Sequence, residues 1–183
     1  MLKSLLASLS LVTLTTPVFA NTSMSHHNQL WNAVESVGVS IKVNERQFCD
    51  PKFGIFKKKI YGFYSAAHKV IVICQEAAVA QGKYNVGQVT WSEEDLDTLR
   101  HEAHHLAQDC RDTTLNAELH AVYKQPVEFA LSVLGQDRAQ SIVRSYKGDG
   151  ASDHVVTMEL EAFAVAQLNN PLEQVEDIKR YCF

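Results

Sequence analysis

After its first twenty residues the chain has no apolar run approaching the ~20 residues that a membrane-spanning helix needs. No membrane span is therefore expected once those residues are removed. Positive charge is also scarce. The formal net charge is −4, from 17 Lys and Arg against 21 Asp and Glu. The longest basic run, Lys57-Lys58-Lys59, has the size of a solvated face or a strand edge. Without a basic stripe, nucleic acid is not an expected partner. There is no C-x-x-C pair among the 4 cysteines, which argues against a Cys₄ zinc site. Internal repeats and low-complexity tracts are absent too, so the pattern is that of one ordinary domain.

The N-terminus has a definite character. Lys3 supplies a short positive head, Leu5 to Val12 begin an apolar middle, and Pro17-Val18-Phe19-Ala20 closes it with a small residue. These are the parts of a secretory signal peptide. Cleavage is expected between Ala20 and Asn21, giving residues 1–20 as signal and 21–183 as a single domain, secreted or periplasmic. All four cysteines (Cys49, Cys74, Cys110, Cys182) follow that point, and an even count in an exported chain points to two disulfides. Three pairings can be drawn. The expected one is Cys49–Cys74, tying the strand region to itself, with Cys110–Cys182, pinning the C-terminal tail to a central helix.

Residues 21–28 are polar, and a mobile tail is expected there, with His26-His27 at most a weak metal binder. A short helix near 29–37 should lead into a strand near 38–43. Ile55-Phe56 and Ile60-Tyr61-Gly62-Phe63-Tyr64 predict one or two strands. Ser65 to His68 reads as a turn, and His68 to Cys74, rich in β-branched residues, as a further strand. From Ser92 the periodicity changes. Leu96, Leu99, Ala103, Leu106, Ala107 and Cys110 recur at helical spacing. Ser92 can cap this helix, with Asp95 as capping-box partner and Glu93 and Glu94 at its positive end. Beside the apolar face runs a polar stripe of Thr98, His101, His105 and Gln108. Further helices are expected near 114–125, 126–135, 137–146, 153–168 and 172–180, two of them opened by Pro126 and Pro171, with Gly148 and Gly150 marking a loop. Strands followed by helices make the fold class α+β.

The polar stripe contains the segment that carries chemistry. Residues 101–105 read His-Glu-Ala-His-His, an H-E-x-x-H motif. On a helix, His101 and His105 lie on one face a single turn apart, so two imidazoles can bind one Zn²⁺ at about 2.0–2.1 Å. Glu102, one step round, can reach a water at such a metal. A catalytic zinc needs a third protein ligand and an open position. Glu159 and Glu161 lie in Met158-Glu159-Leu160-Glu161-Ala162-Phe163-Ala164, an apolar helix that would carry a carboxylate only if it were paired or metal-bound. Either can be that ligand. His104 is expected to be packed or solvent-facing instead.

Thr98 to His105 together with Glu159-Leu160-Glu161-Ala162 resembles the gluzincin metallopeptidases. In that group the third ligand is a glutamate on a later helix, in an E-x-x-A pattern followed by Asp or Asn. The resemblance implies Glu159 as ligand beside His101 and His105, with Glu102 as catalytic base. It also implies a zincin-like fold, with a small antiparallel or mixed N-terminal sheet packed on a mostly helical C-terminal part. An edge strand over the site is implied as well, and His68 to Cys74 fits that place. Phe163 departs from the pattern where an acid or amide is expected. This leaves open what orients the imidazoles, and keeps Glu161 as the alternative ligand. The function implied is a secreted Zn²⁺-dependent peptidase acting on a peptide or protein. The alternative is a zinc-binding interaction domain of the same fold without peptidase activity. Tyr123, Tyr146 and His154 are candidate oxyanion donors, with His120 and His68 behind them.

Overall fold

The computed structural model describes residues 19–52, 59–112 and 115–183, and side chains from Met24 onward. Helix α1 (Phe19–Ser36) leads into strand β1 (Ser40–Val43) and a single turn, α2 (Arg46–Cys49). Strands β2 (Gly62–Ser65) and β3 (Val70–Ile73) form a hairpin, and α3 (Glu76–Ala80) follows. The remainder is helical: α4 (Glu93–Asp109) with a 3₁₀ turn to Asp112, α5 (Pro126–Leu134), α6 (Gln136–Gly148), α7 (Asp153–Leu168) and α8 (Pro171–Cys182). A small mixed sheet followed by a mostly helical part makes the fold α+β. The expected strand at Ile55-Phe56 lies outside the described residues.

In the sheet, β3 lies between β1, its parallel neighbour, and β2, its antiparallel one. All four β3 residues are buried, and their alternation sends them to two cores. Ile71 and Ile73 join Leu30, Val34, Leu99, Leu106 and Ile178 between α1, α4 and α8. Val70 and Val72 pack with Cys49 and Cys74 on the other face. The segment His68–Cys74 is thus the middle of the sheet, and the expectation that it forms the edge above the site is overturned. That place belongs to β2, whose glycine-containing sequence leaves room for α4. A third core, with Ala130, Leu134, Val156, Leu160 and Ala164, joins α5, α6 and α7.

Local signals hold where they are strong. Ser92 accepts from the Asp95 N–H while the Asp95 side chain accepts from the Ser92 N–H, a full capping box at the start of α4. Pro126 and Pro171 occupy first-turn positions of α5 and α8. Both expected disulfides are present, Cys49–Cys74 and Cys110–Cys182, the covalent pattern of an oxidising compartment. Among the described residues no helix is long and apolar enough to cross a membrane.

Two further expectations fail. Residues 21–28 are not a loose tail but belong to α1, and His27 is buried against Arg100, with Arg100 Nη1 2.8 Å from His27 Nε2. No helix forms over 115–125. The backbone there is drawn instead onto two buried carboxylates. Asp109 accepts from the Asn116 and Ala117 N–H groups at 3.2 and 2.7 Å. Glu161 accepts from Val122 and Tyr123 at 2.8 and 3.3 Å. Charge-assisted bonds to buried acids outweigh the weak helix propensity of the segment.

Gly62 sets how closely the edge strand approaches the motif helix. A Cβ there would lie 2.6 Å from Thr98 Cγ2 and 2.7 Å from the Val72 carbonyl oxygen. Gly62→Ala should therefore lower stability by about 1–3 kcal/mol, as overpacking does. Chemical denaturation would check this, and adding Thr98→Ser should not restore the loss, because the Val72 carbonyl remains in the way.

Candidate metal centre

Helix α4 is buried nearly all round, from Leu99 to Asp109 without interruption. His101, Glu102 and His105 are each at most 7% exposed, and their ligand atoms lie within 4.8 Å of one another, an arrangement that fits a metal site. The two imidazoles converge through Nε2, 3.1 Å apart. Glu159, on α7, straddles them, with one carboxylate oxygen 3.2 Å from His101 Nε2 and the other 3.5 Å from His105 Nε2. Ligand atoms held tetrahedrally by Zn²⁺ at about 2.0–2.1 Å lie roughly 3.3 Å apart. The two imidazoles and the nearer Glu159 oxygen of each lie close to that edge length, but the two contacts use different oxygens of Glu159. The group whose ligand atoms all lie within 4.8 Å is His101, Glu102 and His105; this lining is compatible with a metal ion. Among the described residues a second grouping, Asp112, Glu118 and His120, is exposed.

Glu159 and Glu161 part company because residues two apart on a helix point about 200° away from each other. Glu161 is fully buried against His104, Oε1 to Nε2 3.0 Å, and the same oxygen accepts from the Val122 and Tyr123 N–H groups. His104 is therefore a packed histidine joined to α7, one step round α4 from the site. Burial lowers its pKa, and Glu161 opposes that only in part.

The charges at the site are strongly coupled. Burial alone would lower the His105 pKa, but the Glu159 carboxylate, with Glu102, outweighs it and holds His105 at about 9. Burial would raise Glu159, and the two imidazoles outweigh that and hold its carboxyl well below the usual carboxylate range. Glu102 is raised, chiefly by burial, although both imidazoles and the Tyr64 backbone N–H of β2 stabilise its charged form.

His101 and Glu102 open onto a cleft of about 700 Å³ whose walls include Tyr61 and Gly62 on one side and Tyr146 and Phe163 on another. Tyr146 is the one candidate oxyanion donor brought here. Burial raises its pKa, and the negative charge of nearby Glu159 adds to that. The others stand elsewhere. Tyr123 stacks on Phe129, His154 lies 2.8 Å from the Leu119 carbonyl, His120 faces Asp112, and His68 meets Ser65 in the hairpin turn. Phe163, where the resemblance expects an acid or amide, packs its ring 4.4 Å from His101. The buried His101 Nδ1 has no hydrogen-bond partner.

Two contributors were not assigned roles from sequence. Gln108 lies one turn beyond His105, and its Oε1 is 2.7 Å from His105 Nδ1. Its place in the polar stripe was the available signal. Arg100 is buried and donates to the Ala166 carbonyl at 2.8 Å while pairing with Glu93 and Asp97. Nothing in the local sequence distinguishes it from a solvated arginine.

The His105–Glu159 pair makes the metal-free protein pH-sensitive in a defined direction. The folded His105 pKa of about 9 exceeds the unfolded value of about 6.5. The stability it contributes is therefore full below about pH 6.5 and lost as pH rises through the folded value. Glu159, depressed when folded, contributes above its unfolded value of about 4.3 and loses that contribution as pH falls. In chelator, the melting-temperature advantage of the wild type over Glu159→Gln should be full near pH ~5.5 and shrink by pH ~9.5. Thermal unfolding of both proteins across that range is the check.

No curated protein matches this chain, and no solved structure does. A family model does match, over residues 19–183, nearly the whole length, and it is described as a domain of unknown function. The chain accordingly belongs to the DUF8637 family.

Proposed function

We propose that the protein is an exported zinc-dependent peptidase. The observation that carries this reading is the convergence of His101, His105 and Glu159 at separations of 3.1, 3.2 and 3.5 Å, with buried Glu102 beside them. His101, His105 and Glu159 would hold the ion. When bound, zinc supplies acidification of a water towards a pKa of about 7 and polarisation of the scissile carbonyl.

The remaining work falls to the chain. Glu102 opens onto the cleft beside Gly62 of the edge strand. It takes the proton of the attacking water and passes it to the leaving amine. Tyr146, in the same cleft, donates its hydroxyl proton in a hydrogen bond to the developing oxyanion. Burial of the motif helix keeps bulk water from one side of the site, while the cleft admits a peptide or protein substrate from the other. The resemblance of the motif and the later glutamate to gluzincins supports the same assignment.

A second reading is a zinc-binding domain that does not cleave. Phe163 against His101, with Nδ1 unpartnered, favours it, because metal-bound imidazoles ordinarily donate that N–H to an acceptor.

Metal analysis of the oxidised protein tests both. One zinc per chain is expected, lost in His101→Ala and in Glu159→Ala. Glu102→Gln should keep the zinc while cleavage of a peptide library falls by about 10²–10⁴-fold. Zinc with no cleavage of any peptide would select the binding domain, and a parent protein without zinc would end both readings.

A further inference from the structure

Gln108 is completely buried and makes two side-chain hydrogen bonds in opposite directions. Its Nε2 is 3.0 Å from the carbonyl oxygen of Met158, on α7. Its Oε1 is 2.7 Å from Nδ1 of His105, on its own helix. A backbone carbonyl can only accept, so the Met158 oxygen requires the NH₂ end of the amide to face it. The Oε1 end must then face His105. An oxygen that only accepts requires a proton on the nitrogen it meets, so Nδ1 carries N–H. In the neutral ring the lone pair is left on Nε2, the atom that points at Glu159 and at His101 Nε2.

We infer that Gln108 is the positioning residue of this centre. Its amide, oriented by the Met158 carbonyl, fixes His105 in the Nδ1–H tautomer and aims the Nε2 lone pair into the metal position. This rests on the zinc reading for its purpose, but the tautomer exists without metal. Met158 immediately precedes Glu159, so the same side chain that sets the ring of one ligand also ties down the backbone that carries another. His101 has no counterpart. Its Nδ1 is unpartnered and Phe163 packs on its ring. Of the two imidazoles, one is therefore held by a hydrogen bond and the other by packing. Gln108 takes over, from within the motif helix, the orienting role for which the residue after Ala162 is unsuited.

The test uses the full mature protein with ¹⁵N-labelled histidine. In the metal-free wild type, above the pH at which His105 deprotonates, long-range ¹H–¹⁵N correlation should show His105 as the Nδ1–H tautomer. Gln108→Leu should shift it towards Nε2–H and weaken Zn²⁺ binding by about 10–100-fold, measured by competition with a chromogenic chelator. Gln108→Glu keeps an acceptor for His105 but gives up the donor to the Met158 carbonyl, so it should keep the Nδ1–H tautomer while binding Zn²⁺ more weakly than the parent, a split that a merely structural role would not produce. An Nε2–H tautomer in the wild type overturns the inference. So does a folded Gln108→Leu whose zinc affinity stays within about twofold of the parent. If Gln108→Leu does not fold, the wild-type spectrum and Gln108→Glu decide. If the parent binds no zinc, the metal reading fails and the tautomer still decides the role of Gln108.

Discussion

The antiparallel contact between α4 and α7 is the constraint on which the rest depends. Helix α4 is buried on nearly every side yet carries Arg100, His101, Glu102, His104, His105, Gln108 and Asp109. Polar groups taken out of water need partners, at a cost of several kcal/mol each if none is found. Helix α7 supplies many of them. Arg100 reaches the Ala166 carbonyl, His101 and His105 reach Glu159, His104 reaches Glu161, and Gln108 reaches the Met158 carbonyl. A slide of either helix by one turn would strand all of these at once. The register is therefore set by polar satisfaction as much as by packing.

The same seam shapes its surroundings. Glu161 and Asp109 have capacity beyond their helical partners, and they use it to hold the backbone of 115–125 in a loop. Tyr64 donates to Asp109 at 2.6 Å, so the edge strand is fastened to the motif helix by its side chain. Gly62 permits the approach. On the far side, Gln174 of α8 donates to the Arg100 carbonyl at 2.6 Å, and Cys110–Cys182 links the ends of α4 and α8. The candidate centre is thus enclosed by a strand, two helices and a covalent link before any ligand is considered, as a preorganised site requires.

Much of this was legible in the sequence because it rests on short-range rules. The capping box at Ser92, the prolines opening α5 and α8, the β-branched run in β3 and the H-E-x-x-H spacing are each decided within a few residues. The failures all involve distant partners. His27 looked like part of a polar tail because Arg100, 73 positions away, cannot be seen from its neighbours. Residues 115–125 looked helical because the carboxylates that unwind them lie on other helices. His68–Cys74 looked like an edge because strand order depends on the parallel pairing with β1, which the sequence of β3 does not encode.

The sequence by itself determined the positions of the two hairpin strands, of the motif helix and of the helices after it from Pro126 on, the cysteines available for pairing, and the two imidazoles with their adjacent carboxylate on one helical face. These follow from periodicity, capping and the fixed geometry of a single helix. Only the tertiary structure decided between Glu159 and Glu161 as the carboxylate facing those imidazoles, set Gln108 against His105 and Phe163 against His101, and brought Tyr146 rather than Tyr123 to the cleft. The reason is geometric. A helix fixes which side chains share a face, but the direction each face points is settled by the register and rotation at which α7 and α6 dock, and that docking is a balance of buried contacts contributed by the whole chain.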